Sequence, residues 1–296
     1  MITFTAMRRP IAVKTIIIGL LALLLSACSA VRLGYDNGPS LALWWLDGYL
    51  DLDRSQEARA KPLLEAWFAW HRATQLPDYA QWLGTWKGRA GGNVTGDEVC
   101  RWADLTRERL VTAVERAVPA GAELLPIIEA PQWQYLQKRF TDRAAEQRKD
   151  FLQGSRDDRI GASLDRAISR SEEFYGPLSA AQKKLLAERV AASPMEAEVW
   201  LAEREARQRE LVQSLRRIQQ EPDLARRTAA LRAAAQRFMR APDGDYGARQ
   251  ARWQQHGCEL SAALHNSTTA QQRQHLRERL AGYEEDLRAL AAAGGL

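Results

Sequence analysis

The carboxy-terminal stretch of the chain carries the pattern that most restricts its fold. Five apolar side chains there are spaced four, three, four and three residues apart: Leu276, Leu280, Tyr283, Leu287 and Leu290. This spacing places them on one face of an α-helix, where they form a seam that must be buried against other helices. Residues 133–151 repeat the pattern, and the alternation typical of strands is missing after position 40. We therefore predict an all-α protein, an elongated multi-helix bundle.

Local signals place the ends of the helices. A capping box, in which two side chains satisfy free backbone N–H groups at a helix start, fits four segments: Asp53/Gln56, Thr95/Glu98, Ser179/Gln182 and Thr268/Gln271. Clusters of glycine and proline mark breaks between helices. No change in composition divides the chain, so residues 41–296 are predicted to be a single helical domain. The predicted helices span 41–50, 54–74, 77–87, 96–117, 131–152, 156–174, 180–192, 194–220, 223–239, 248–264 and 269–291.

Residues 1–27 have the features of a secretory signal peptide. Three basic residues precede an apolar run that ends at Leu25. This run is too short to cross a membrane as a helix, which takes roughly 20 residues. The sequence Leu25-Ser26-Ala27-Cys28 resembles the lipobox of bacterial lipoproteins. The resemblance implies cleavage before Cys28 and attachment of diacylglycerol and an N-acyl chain to its sulfur and amine; ordinary secretion with a chance cysteine at the cut is the alternative.

The residues that follow Cys28 give two further expectations. Ser29, where an aspartate would favour the inner membrane, implies by the same resemblance a place on the periplasmic face of the outer membrane. Residues 28–40 contain Gly34, Gly38 and Pro39 and show no sustained period, so we predict a lipidated flexible tether. A tether of this length reaches about 45 Å at most, which would keep the folded part close to its membrane.

The charge distribution argues against a nucleic-acid partner. Removal of the signal peptide, which holds three basic and no acidic residues, lowers the formal net charge from +5 to +2. Nucleic-acid binding usually needs a concentrated basic face. Here Arg204, Arg207 and Arg209 alternate with glutamates, which is typical of a solvated helix surface.

Two cysteines remain beside the lipidated one, Cys100 and Cys258. An oxidising periplasm and an even number of thiols favour a disulfide between them, with two separate buried thiols as the alternative. No histidine and carboxylate nearby indicate an activated thiol, so neither cysteine is a candidate nucleophile.

The sequence carries no recognisable catalytic or metal-binding motif. Its four histidines form neither HExxH nor a pair one helical turn apart. The motifs of α/β-hydrolases, P-loop enzymes and dinucleotide-binding proteins are absent. We therefore predict no catalytic residue, no metal and no cofactor beyond the covalent lipid. Four aspartates near the amino terminus form the one stretch in which to seek the carboxylate pair of a glycan-cleaving enzyme: Asp36, Asp47, Asp51 and Asp53.

Tryptophan is concentrated in the first third of the chain, where seven of the ten lie between positions 44 and 102. Trp44 and Trp45 follow the predicted tether directly, which favours a role at the membrane interface. Four others repeat at helical spacing and serve either in the core or as a stacking platform for a ligand such as a glycan: Trp67, Trp70, Trp82 and Trp86.

Several segments resemble a known family. Together with the lipobox they are RLGYDNGPSLALWWLDGYLDLD, WFAWHRATQLPDYAQWL and, more weakly, RERLAGYEEDLRAL. They resemble a family of proteobacterial lipoproteins described only as a domain of unknown function, and the Gly-Tyr-Asp-Asn and Trp-Trp-Leu-Asp elements are the most distinctive. The resemblance covers most of the mature chain and implies a helical envelope lipoprotein, without an activity.

A looser similarity concerns LDRSQ at 52–56 and LSAAQ at 178–182. Both are similar to the Leu-Thr-x-x-Gln signature of periplasmic helical stress proteins and chaperones, with Asp53 and Ser179 in place of threonine. Helix capping by itself produces the same sequence pattern. We predict a membrane-anchored periplasmic lipoprotein, a non-catalytic binding or structural module whose partner is an envelope protein or peptidoglycan. A periplasmic chaperone or envelope-stress protein is the first alternative, and a glycan-active enzyme is the second.

Overall fold

The computed structural model describes residues 30–240 and 243–293, so the predicted signal peptide and Cys28 lie outside it. Within these ranges the chain forms α-helices and contains no strand, which confirms the all-α prediction. The α-helices, numbered in chain order, are α1 (Ala30–Asp36), α2 (Gly38–Leu50), α3 (Arg54–Trp70), α4 (Leu76–Arg89), α5 (Gly96–Leu124), α6 (Ala130–Leu152), α7 (Arg156–Tyr175), α8 (Ala180–Ala191), α9 (Ala197–Gln219), α10 (Leu224–Met239), α11 (Asp245–Asn266) and α12 (Ala270–Ala293).

A π-helical turn, His71–Gln75, joins α3 to α4. The predicted helices 54–74 and 77–87 are therefore one continuous helical run. Leu76 N–H donates to the carbonyl of His71, five residues earlier, and Pro77, which has no N–H to donate, follows directly at the start of α4. Single π-turns inside helices are frequent at functional sites.

Helix α5 is longer than predicted because it continues through Pro119 to Leu124. A proline inside a helix removes a backbone hydrogen bond and costs roughly 3 kcal/mol. The helix packs along both α10 and α11 and buries Val118 and Ala122 on either side of the proline. This burial explains why the helix does not end at residue 117.

The prediction of a flexible tether is wrong for residues 30–40, which form α1 and the first turn of α2. Arg32 Nε donates to Asp286 Oδ1 of α12 over 2.7 Å and fixes α1 to the body of the protein. Gly38 lies directly on the ring of Phe68, where a Cβ atom would clash. Glycine is present here for close packing of two helices rather than for flexibility.

Two pairs of helix starts are joined by reciprocal glutamine contacts. Gln56 of α3 and Gln132 of α6 each donate from Nε2 to the other's Oε1, over 2.9 and 2.7 Å. Gln182 of α8 and Gln272 of α12 do the same over 2.7 and 3.0 Å. Each Oε1 also accepts the backbone N–H of the residue that caps its own helix. All four side chains are buried, so each capping box is tied to a second helix.

The apolar core has two described clusters. The larger one lies where α6, α9 and α10 meet and includes Trp133, Leu136 and Val212. The smaller one contains Leu186 and Leu264. A disulfide between Cys100 of α5 and Cys258 of α11, with the Cα atoms 5.3 Å apart, crosslinks two helices that also pack against each other.

Candidate functional site

Large exposed apolar side chains are concentrated in the first two helices. Trp44 and Trp45 on α2 are 73% and 59% exposed, and Leu41, one turn earlier on the same face, is also exposed. Val31 and Leu33 of α1 are exposed as well. Surface apolar residues scattered singly are normal, whereas a concentration of them indicates an interaction surface. The membrane-interface role of the two tryptophans stays a prediction.

Cys28, the predicted lipidation site, lies outside the described residues. Helix α1 begins at Ala30, two residues further on. None of the described helices is long and apolar enough to cross a membrane.

A half-open apolar cavity of about 550 Å³ lies between α2, α3 and α5, and we call it the amino-terminal cavity. Helix α3 contributes Leu63 and Leu64, and α5 contributes Ala117 and Leu124. Leu215 and Leu231 complete the wall, and none of its described lining residues is charged. This cavity was missed from the sequence. Its only signal there is a run of small residues, Ala117, Ala120 and Gly121, at helical spacing.

Gln56 is the polar side chain in the described lining of this cavity, and its hydrogen bonds are already made. Its Nε2 donates to the carbonyl of Ile127 over 2.6 Å and to Gln132. Its Oε1 accepts from the N–H of Asp53 and from Gln132. The amide therefore holds the helix starts together and offers no hydrogen bond to a ligand.

A second cavity of about 380 Å³, the carboxy-terminal cavity, lies between α4, α5, α7, α11 and α12. His265 lies in its wall with Nε2 2.8 Å from the carbonyl of Gly92 and Nδ1 3.0 Å from the hydroxyl of Tyr175. Since a carbonyl only accepts, Nε2 carries the proton and Nδ1 accepts from the tyrosine. Burial lowers the pKa of His265 and raises the pKa of Tyr175 to about 12, so both groups are neutral at pH 7.

His71 in the π-helical turn forms a similar pair. Its Nδ1 lies 2.8 Å from the hydroxyl of Tyr35, and its ring stacks on Trp67 with centroids 4.7 Å apart. Burial lowers the pKa of His71 and raises the pKa of Tyr35 to about 12. The contact attaches α1 to the π-helical turn after α3, which is a structural role for a histidine that the sequence left unassigned.

The four tryptophans predicted as a stacking platform are half-buried and form two ring pairs. Trp67 and Trp70 lie at the end of α3, and Trp82 and Trp86 lie in α4 with centroids 4.5 Å apart. Trp67 Nε1 donates to a backbone carbonyl of α5. Guanidinium groups of Arg116 and Arg109 lie over the rings of Trp70 and Trp82, at 5.5 and 5.1 Å. The two guanidinium groups therefore cover one ring face of Trp70 and one of Trp82.

The aspartates near the amino terminus take part in the local structure. Asp36 pairs with Arg72 over 2.7 Å. Asp47 accepts the N–H of Leu52, and Asp53 caps α3, where these hydrogen bonds lower its pKa. Asp36, Asp47 and Asp53 are therefore each engaged in a local structural contact. No group of three or more metal-ligating side chains is assembled among the residues that the structure describes.

Comparisons with known proteins give a family and no activity. No curated protein and no solved structure matches the chain. The profile of a family described as a "Family of unknown function (DUF6279)" matches residues 48–240, more than half of the chain. The matched region contains most of the amino-terminal cavity and the Gln56–Gln132 pair. The chain therefore belongs to the DUF6279 family.

Proposed function

We propose that this protein is a lipoprotein of the bacterial cell envelope, anchored by acyl chains on Cys28 to the periplasmic face of the outer membrane. There it acts as a non-catalytic helical binding or structural module. The observation that carries the proposal is the exposure of Trp44 and Trp45 in the second helix after the lipobox. Tryptophan favours the headgroup region of a bilayer, and burial of several acyl chains at about 0.8 kcal/mol per methylene gives a stable anchor.

Binding rather than catalysis is supported by the cavities. The amino-terminal cavity, at about 550 Å³, has the size of a typical ligand pocket. Its walls are apolar, and the nearby carboxylates and histidines are engaged in structural hydrogen bonds. We propose an envelope protein or peptidoglycan as the partner of the protein's outer surface, and we do not propose a nucleic-acid partner.

The anchor is tested with Cys28→Ser in living cells grown with an alkyne analogue of palmitate. The wild-type protein should incorporate the label and pellet with membranes at the mass of the cleaved, acylated chain. The variant should lose the label, because the serine hydroxyl cannot form the thioether. Equal labelling of the two chains would overturn the lipid anchor and leave ordinary secretion.

The membrane contact of α2 is tested by tryptophan fluorescence of the protein in vesicles made of lipids with brominated acyl chains, which quench nearby tryptophan. Bromine should quench part of the wild-type fluorescence and much less of the Trp44→Phe/Trp45→Phe variant. Trp82→Phe/Trp86→Phe is the matched control, since it also removes two indoles while keeping the exposed pair. Equal quenching of all three proteins would contradict contact between α2 and the bilayer.

A periplasmic chaperone is the second candidate. The glutamines of LDRSQ and LSAAQ, Gln56 and Gln182, each belong to one of the buried reciprocal pairs. The two segments therefore share a structural role as well as a sequence pattern. The exposed apolar side chains of α1 and α2 offer a surface for unfolded chains. The purified protein should then slow the aggregation of a chemically denatured client at equimolar ratio. Equal aggregation with and without it would exclude this function.

A further inference from the structure

The amino-terminal cavity extends along most of α3. Its α3 residues run from Gln56 to Phe68, which corresponds to about 18 Å along the helix axis. A volume of about 550 Å³ over that length gives a mean cross-section of about 30 Å². On the opposite side, the small residues Ala117 and Ala120 of α5 line the cavity. The shape is that of a trough suited to a linear group.

The walls restrict the chemistry of what can bind there. The described lining carries no charge, and the amide of Gln56 is saturated by its own hydrogen bonds. A hydroxyl or peptide group placed in this trough would lose its hydrogen bonds to water without a replacement. Sugars and extended peptides are therefore unsuitable ligands for the trough, whereas a hydrocarbon chain has no hydrogen bonds to lose.

The position of the trough points to the source of such a chain. Ala42, Leu46 and Leu50 line it from the inner face of α2, and Trp44 and Trp45 are exposed on the outer face of the same helix. A helix is about 10 Å thick with its side chains, so the trough lies one helix away from the exposed indoles. The described chain begins at Ala30, two residues after the predicted lipid attachment site.

We propose that the amino-terminal cavity binds one acyl chain of a membrane phospholipid. The proposal rests on the proposed function for the position of the protein at the bilayer, and it adds the ligand class of the binding module. The bound chain would lie between α2, α3 and α5, with its polar head outside the cavity.

The test uses the mature lipoprotein in phosphatidylcholine vesicles that contain a trace of phosphatidylcholine with a diazirine at the end of one acyl chain. After irradiation, mass spectrometry locates the labelled residues. We expect adducts on the trough residues of α3 and α5, such as Leu64 and Leu124. Ala120→Trp, which fills the trough, should lose most of these adducts.

Two further variants make the result decisive. Ala117 lies at the exposed mouth, so Ala117→Trp should block the trough with little effect on folding, which circular dichroism checks. Ala103→Trp, on the exposed surface of the same helix, should label like the wild type. Trough adducts that persist in both blocking variants would overturn the proposal.

The pattern of labelling also separates this proposal from the proposed function. Adducts on α1 and α2 without any in the trough would overturn the acyl-chain site and leave the membrane contact intact. That result is expected if a protein segment or the acyl chain of Cys28 itself fills the trough. Adducts in neither place would overturn both proposals.

Discussion

Removal of the Gln56–Gln132 pair should destabilise the protein in a strongly non-additive way. Each of the two side chains takes part in four hydrogen bonds, and two of these are shared between them. A buried hydrogen bond contributes about 1 kcal/mol net. Gln56→Met or Gln132→Met alone should therefore lower the free energy of unfolding by about 4 kcal/mol. The double variant loses six bonds rather than eight, so its loss should be about 6 kcal/mol, which is a coupling of about 2 kcal/mol.

Urea unfolding followed by circular dichroism measures these free energies. Gln274→Met, at an exposed glutamine of α12 outside the pairs, is the control and should change stability by less than about 0.5 kcal/mol. The reasoning is refuted if the sum of the two single-variant losses equals the loss of the double variant within about 0.5 kcal/mol. The two amides would then not share hydrogen bonds in solution.

Two further predictions concern the disulfide and the buried histidine. Reduction, or the variant Cys100→Ala/Cys258→Ala, opens a link that spans 158 residues. The free energy of unfolding should then fall by up to about 5 kcal/mol on a chain-entropy estimate. If the protein runs with the same mobility on a non-reducing gel before and after reduction, the thiols are not joined. Because burial lowers the pKa of His265, the unfolded chain takes up a proton first as the pH falls below about 6.5, so stability should decrease there. His265→Gln should reduce this pH dependence in urea titrations between about pH 8 and about pH 5, and an unchanged slope would contradict the assignment.

The features predicted correctly from the sequence are those set by residues close together in the chain. The capping boxes at Asp53, Thr95 and Ser179 mark true helix starts because both partners lie within one turn. The box assigned to Thr268 is displaced by one residue, since Thr269 and Gln272 form it in the structure. Two adjacent threonines followed by two adjacent glutamines fit the pattern equally well, and only the buried partner of Gln272 decides between them.

What could not be predicted depends on contacts between distant residues. Gln56 and Gln132 are 76 positions apart. The helix of Gln132 is capped by Glu129, and glutamate is not among the usual capping residues serine, threonine, aspartate and asparagine. The amino-terminal cavity is a space left between α2, α3 and α5, and the small residues of α5 do not predict it by themselves. Its existence depends on how closely three helices approach one another, which the apolar periodicity of each helix does not specify.

The role of α2 follows from the difference between its two faces. A helix with one apolar face needs a single partner, but α2 is apolar on the face that lines the cavity and on the face that carries Trp44 and Trp45. Among the described residues, the body of the protein packs on the first of these faces and leaves Trp44 and Trp45 exposed. Gly38 on Phe68 and Arg32 on Asp286 hold the α1–α2 segment against the body, although its outer face gains nothing from that packing. Structural contacts of this kind keep an apolar surface in a fixed orientation, which agrees with the membrane contact that we propose for Trp44 and Trp45.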